Sequence, residues 1–215
     1  MKGFTHAIFD FDGTISDSQW VWVEIVPRVF RTKGYHVTAE DFAACKTMTY
    51  EEKVSYFLEK FNLSVENAPT LADMTQSITE YYRTDNVLKA GVKEFLDFLK
   101  SQGIPMAIFS ATRSEAIKEG LAFLGVDSYF DYVFSTRDIG MGKDNPDSFR
   151  YCCNAMGVAP ECCLMVEDYV VSMRTAKSLG MTVYAIYDKA SERFQEEIRS
   201  LADRYAIKSM CEFFE

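Results

Sequence analysis

Two carboxylates, Asp10 and Asp12, stand directly behind the largely apolar stretch Phe4-Thr5-His6-Ala7-Ile8. That stretch reads as a buried strand, so both carboxylates point to one side while the chain stays extended. Gly13 then lets the backbone turn with no side chain in the way. Like charges a few ångströms apart oppose each other's ionisation, so such a pair shares a proton or holds a cation. A hard divalent ion suits it, because Mg²⁺ takes one or two carboxylates and completes its shell with water and phosphate oxygens. Taken alone, Phe9-Asp10-Phe11-Asp12-Gly13-Thr14 also fits a solvated acidic turn. Ser110, Lys143 and the pair Glu167-Asp168 are further polar candidates. Each has an ordinary explanation by itself: a turn hydroxyl or helix cap, a solvated loop charge, and the acidic start of a helix.

The elements that must carry these groups fall into two textures. Gly91 to Gln102 is an amphipathic helix stopped by Gly103, and Pro105 to Phe109 follows as a buried strand. Ser114–Leu124 then reads as a helix, Tyr132–Phe134 as a strand, and Asp147–Met156 as a helix after Pro146. Cys163–Val166 is a strand, Val170–Leu179 a helix ending at Gly180, Thr182–Tyr187 a fifth strand, and Ser191–Tyr205 a charged closing helix. Strands alternating with helices predict an α/β fold with a doubly wound parallel sheet. Asp10, Ser110 and Asp168 then each lie at or just past the carboxyl end of a strand, where open α/β sheets bind ligands. Between the first strand and Gly91 the pattern is helical only. Asp17 or Ser18 caps a helix running from Trp20 to Arg31, interrupted by Pro27, and Tyr50–Phe61 and Thr70–Arg83 follow. Residues 18–86 are therefore expected to be a helical insertion, with 1–17 and 87–215 forming the α/β core.

Composition narrows the function. The 215 residues allow a sizeable core, and the net charge of −9 argues against a nucleic-acid surface or an anionic membrane partner. An anionic substrate stays compatible, since one metal ion and one lysine reverse the sign of a small cleft. Asp10 and Asp12 come too early for a signal-peptide core, and no apolar run spans a bilayer, so a cytoplasmic location is expected. The six cysteines include the adjacent pairs Cys152-Cys153 and Cys162-Cys163, which make poor metal co-ligands and read as reduced core thiols.

Four segments together carry a resemblance. Asp10-Phe11-Asp12-Gly13-Thr14 resembles the first motif of the haloacid dehalogenase superfamily, most of whose members are Mg²⁺-dependent phosphatases. Phe109-Ser110-Ala111-Thr112 is similar to the second motif. Lys143 with Pro146-Asp147 and Phe149 is similar to the third. Val166-Glu167-Asp168, with Ala176 and Gly180-Met181, is similar to the fourth. The helical insertion falls where that family carries its small cap. The resemblance implies Asp10 as nucleophile and Asp12 as general acid and base. It implies Mg²⁺ held by the Asp10 carboxylate, the Asp12 backbone carbonyl and Asp168, with Gly13, Thr14 and Glu167 in support. Ser110, the Ala111 N–H and Lys143 would hold the phosphoryl oxygens.

The departures from the family pattern are specific. Asp144 follows Lys143 where a proline is usual, which could loosen that loop or weaken the lysine's local field. Tyr169 and Ser172 replace a serine and a glycine after the fourth-motif acid, making a bulkier rim. Trp22 stands where the phosphoglucomutase-like branch has a histidine, and Lys46-Thr47-Met48-Thr49-Tyr50 lacks that branch's glycine and arginine. These favour hydrolysis of a small phosphorylated metabolite over mutase chemistry. The alternatives are a sugar phosphomutase, a non-catalytic module that senses a phosphorylated metabolite, and a dehalogenase. Trp20, Trp22 and Lys46 are the insertion residues that could meet substrate, although packing or surface roles explain them as well.

Overall fold

The computed structural model describes residues 3–46 and 48–214, so Thr47 of the Lys46–Tyr50 stretch lies outside the described residues. Six parallel strands form one sheet: β1 (His6–Phe9), β2 (Met106–Ser110), β3 (Tyr132–Ser135), β4 (Cys163–Glu167), β5 (Thr182–Ile186) and β6 (Arg204–Ala206). Their order is β3-β2-β1-β4-β5-β6, which reverses direction between β1 and β4. Each inner strand is apolar on both faces. Ala7, Phe9, Met106, Ile108, Leu164 and Val166 face one core cluster, whereas Ile8, Ala107, Phe109, Cys163, Met165 and Val183 face the other. A period of two divides neighbours between faces, and helices cover both sides, as an all-parallel sheet requires.

Five helices lie between β1 and the rest of the core: α1 (Gln19–Val23), α2 (Ile25–Thr32), α3 (Ala39–Cys45), α4 (Tyr50–Lys60) and α5 (Leu71–Thr84). The chain leaves and returns through two paired segments, with Asp17 N–H donating to Val87 C=O at 2.8 Å and Lys89 N–H to Ile15 C=O at 3.0 Å. Three helices start on a hydroxyl-acid box: Thr38 with Asp41, Thr49 with Glu52, and Thr70 with Asp73. The expected break near Pro27 falls earlier, at Glu24, and Pro27 sits in the first turn of α2, where its missing N–H costs little. Phe30 stacks on Phe57 at 5.0 Å inside the inserted helices, and this apolar cluster runs without interruption to Phe9 and Phe95 at the sheet.

The remaining helices are α6 (Val92–Ser101), α7 (Ser114–Leu124), α8 (Thr136–Ile139), α9 (Pro146–Ala155), α10 (Val170–Ser178) and α11 (Gln195–Leu201). Helix α5 packs on α7, with Tyr82 edge-on to Phe11 at 5.1 Å. Gly120 permits this approach, because a Cβ there would sit 2.8 Å from Phe11 Cζ. The expected helix over Ser191–Tyr205 is shorter than its charge pattern implied. It begins as a 3-10 turn over Lys189–Phe194 and ends at Leu201. Tyr205 instead belongs to a sixth, three-residue strand that is too brief to show an alternating pattern. The Asp203 carboxylate steers the chain into that strand by accepting the Val183 N–H at 2.8 Å and binding Lys177. Of the paired cysteines, Cys152, Cys153 and Cys163 are buried, and the Cys153 and Cys163 sulfurs lie 3.7 Å apart. Cys162 departs from the core-thiol expectation: it is exposed, because it closes the 3-10 turn that precedes β4.

Asp41 ties α3 to α4. Burial would push its carboxyl up, but hydrogen bonds from Lys60, Tyr56 and Thr38 outweigh that and hold it well below the usual carboxylate range. A carboxylate lowered by folding stabilises above its unfolded pKa and loses that contribution as acid protonates it. Asp41→Ala is therefore expected to cost about 1–3 kcal/mol at neutral pH. The gap from wild type in chemical denaturation should close as pH falls below about 4.

Candidate active site

Asp10 is the first residue beyond β1, and its N–H donates to Val166 C=O of β4 at 3.0 Å. The adjacent strand β4 ends in Glu167, with Asp168 next. Both lie at the point where the strand order reverses, the crevice at which doubly wound sheets bind ligands. Asp10, Glu167 and Asp168 each bring a carboxylate oxygen within 4.8 Å of the others, and all three are buried. Ser110 ends β2 on the other side of β1.

A cavity of about 310 Å³ opens over this crevice and is lined by Asp10, Asp12, Ser110, Ala111, Lys143 and Glu167. Gly13, Thr14 and Asp168 do not line it but pack against one another. Thr14 Oγ1 donates to Asp168 Oδ1 at 3.2 Å, and Asp168 Oδ2 is buried with no hydrogen-bond partner among the described residues. Gly13 has φ +85°, and a Cβ at this residue would stand 2.6 Å from Asp168 Oδ2. Glycine is thus required both by the backbone and by the approach of the carboxylate. Lys143 Nζ lies 2.6 Å from Asp10 Oδ1 and 3.2 Å from Glu167 Oε1. Burial opposes its charge, but Asp10 and Glu167 more than compensate and hold the ammonium above its ordinary range. The Asp144 substitution leaves this reach intact, since the Asp144 carboxylate turns back onto Gly142, where a Cβ would lie 2.4 Å from it.

Asp12 is organised differently from Asp10. Its Oδ1 accepts from Ser18 Oγ at 2.5 Å and Tyr82 OH at 2.5 Å, and its Oδ2 accepts from Thr112 Oγ1 at 2.8 Å. Burial, helped by the nearby Asp10 charge, raises its pKa despite these three bonds. Burial followed by the Asp10 charge also raises Glu167 and Asp168 well above the normal carboxylate range.

Several of these contacts were not legible as functional in the sequence. Ser18 stands at the N-cap position of α1 but caps nothing with its side chain, because its hydroxyl serves Asp12 instead. Tyr82 is 70 residues from Asp12 and gives no local signal. Thr112 was visible only as part of the second motif. Ser110 keeps its turn role as well, accepting the Thr112 N–H at 3.1 Å. Of the insertion residues singled out, Trp22 lines this cavity together with Gln19, Arg137 and Tyr169. Trp20 and Lys46 instead line a larger cleft of about 850 Å³, together with Asp17, Leu88 and Lys89 of the linker segments. That cleft is lined by none of Asp10, Asp12 or Asp168, whereas Asp10 and Asp12 line the smaller cavity.

The family model of haloacid dehalogenase-like hydrolases matches residues 7–186, a span that includes every one of these groups. The chain belongs to that family. Among its haloacid dehalogenase-like relatives, a phosphorylated carbohydrates phosphatase from Thermotoga maritima is 26% identical over 93% of this chain and 88% of that protein. A fructose-1-phosphate phosphatase from Escherichia coli is 27% identical over 81% of this chain and 92% of its own length. The fold matches the crystal structure of CbbY from Rhodobacter sphaeroides in complex with phosphate, with a TM-score of 0.72 at 20% identity over 98% of this chain and 96% of that one.

The donor set fits a hard divalent cation. It offers carboxylate oxygens from Asp10, Glu167 and Asp168, one of them buried and unpartnered, and no soft ligand. Carboxyls raised by folding make the metal-free protein less stable as pH climbs from below their unfolded pKa toward neutrality. Asp168→Asn should therefore raise the melting temperature of metal-free protein at about pH 7.5 and remove any rise caused by added MgCl₂. In wild type that rise should grow as pH climbs above the ordinary carboxylate range and the raised carboxyls ionise, which differential scanning fluorimetry can follow.

Proposed function

We propose that this protein is a Mg²⁺-dependent phosphatase that hydrolyses a small phosphomonoester through an aspartyl-phosphate. The observation that carries the reading is the ion-paired Asp10 carboxylate, in a cavity that the raised carboxyl of Asp12 also lines. Asp10 attacks phosphorus, and the ester oxygen leaves with the proton carried by Asp12. Water then attacks the phosphorylated Asp10, giving its proton to Asp12 and releasing phosphate. Burial suits Asp12 to this exchange, since it keeps the carboxyl protonated to higher pH than a surface aspartate. Ser110, the Ala111 N–H and Lys143 line the cavity as donors for the phosphoryl oxygens, and Lys143 also fixes Asp10. The Asp10 and Asp168 carboxylates and the Asp12 backbone carbonyl would hold the cation, with Gly13, Thr14 and Glu167 shaping that pocket. When bound, Mg²⁺ offsets carboxylate and phosphate charge so that two anions can approach.

We also infer that residues 18–86 act as a cap over a core of 1–17 and 87–215, with the paired segments around Asp17 and Val87 as its hinge. Support comes from Gln19 and Trp22, which reach the cavity mouth from α1. The names of the phosphatase relatives support a small phosphorylated metabolite as substrate. A mutase would instead return an isomerised sugar phosphate.

Asp10→Asn is expected to abolish Mg²⁺-dependent phosphate release from p-nitrophenyl phosphate and from sugar phosphates, with circular dichroism unchanged. Asp12→Asn should slow release by roughly 10²–10⁴-fold, the range usual for loss of general acid–base catalysis. Normal turnover by Asp10→Asn would remove the nucleophile assignment.

A further inference from the structure

The cavity has two cations on its wall, and their situations differ. Lys143 is half-buried and already satisfied by Asp10 and Glu167. Arg137 lines the same cavity but is exposed, and its guanidinium has no ion pair or hydrogen bond among the described residues. Its backbone is nonetheless well fixed. Ser135 pairs with Ser110 in the sheet, and the Ser135 hydroxyl accepts the Arg137 N–H at 3.1 Å. The neighbouring Asp138 carboxylate accepts the Ser114 N–H at 3.3 Å, joining α8 to the start of α7. The Arg137 backbone is therefore held two residues beyond the strand position that aligns with Ser110. Its exposed side chain lines a cavity whose floor groups Asp10, Ser110 and Glu167 are buried.

We infer from this that Arg137 selects phosphomonoesters bearing a second anionic group, a carboxylate or a further phosphate, close to the ester being cleaved. The inference rests on the phosphatase reading and specifies its substrate class. The floor takes the transferring phosphoryl group, leaving the uncommitted charge at the mouth for whatever projects outward. Arginine suits that task, because its planar fork binds carboxylate or phosphate bidentately and stays charged at any relevant pH. Trp22 and Tyr169 on the same rim offer flat apolar surface for a short carbon spacer, and neither supplies a competing charge. A cavity of about 310 Å³ sits at the small end of ligand sites, which favours a compact diacid over a long or bulky alcohol.

The test compares 2-phosphoglycolate with ethyl phosphate, near-isosteres that differ by one carboxylate. Wild type should favour the acid in kcat/KM by about tenfold or more, the discrimination expected of one charge-assisted contact. Arg137→Ala should collapse that ratio toward one, mainly through a higher KM for 2-phosphoglycolate, and Arg137→Lys should restore part of it. An equal loss on both compounds would assign Arg137 to the transferring phosphoryl group and overturn the inference, as would an unchanged ratio. Hydrolysis of p-nitrophenyl phosphate by wild type checks the phosphatase reading separately. If that reaction is absent, calorimetric affinities of the two compounds for wild type and Arg137→Ala read the same preference without turnover, and equal affinities for wild type refute it.

Discussion

Crowding of like charge is the constraint on which this structure depends. Asp10, Glu167 and Asp168 converge at the carboxyl ends of two neighbouring strands, and all three are buried. Nothing about folding alone favours that arrangement, since burial and mutual repulsion both raise the free energy of the ionised groups. One half-buried lysine offsets part of the charge, and one Asp168 oxygen is left without a hydrogen-bond partner among the described residues. Local cost of this kind at a strand-order reversal is characteristic of a site shaped for a charged ligand.

The inserted helices are part of the same site. Asp12 is held by two hydroxyls that arrive with the insertion, Ser18 at its entrance and Tyr82 near its end, and by Thr112 from the core. Movement of the helical segment would change which donors Asp12 keeps. Its acid strength is thereby tied to the position of the segment. The continuous apolar cluster from Phe57 through Phe30 to Phe9 fixes the arrangement seen here.

What the sequence made legible follows from how local each signal is. The parallel sheet could be read because β1, β2 and β4 are apolar runs between turn residues, and the four motifs each lie within a few consecutive positions. The strand β6 could not, because three residues hold too little pattern. Helix α3 went unread although Thr38 and Asp41 spell its start, a signal outweighed by the short apolar face behind it. The partners of Asp12 are out of reach for a different reason: Ser18 reads as a cap and Tyr82 only as one position of the Thr70–Arg83 helix, and it is the packing of α5 on α7 that brings the phenol to the carboxylate. Arg137 carried no motif at all, and its placement comes from the Ser110–Ser135 register.

The central claim is that these carboxylates are assembled around a divalent cation, and anomalous diffraction from crystals soaked in MnCl₂ tests it most directly. The account predicts one strong peak between Asp10 and Asp168, about 2.1 Å from an oxygen of each. A crevice without such a peak, with Lys143 still bridging Asp10 and Glu167 at saturating Mn²⁺, would contradict it.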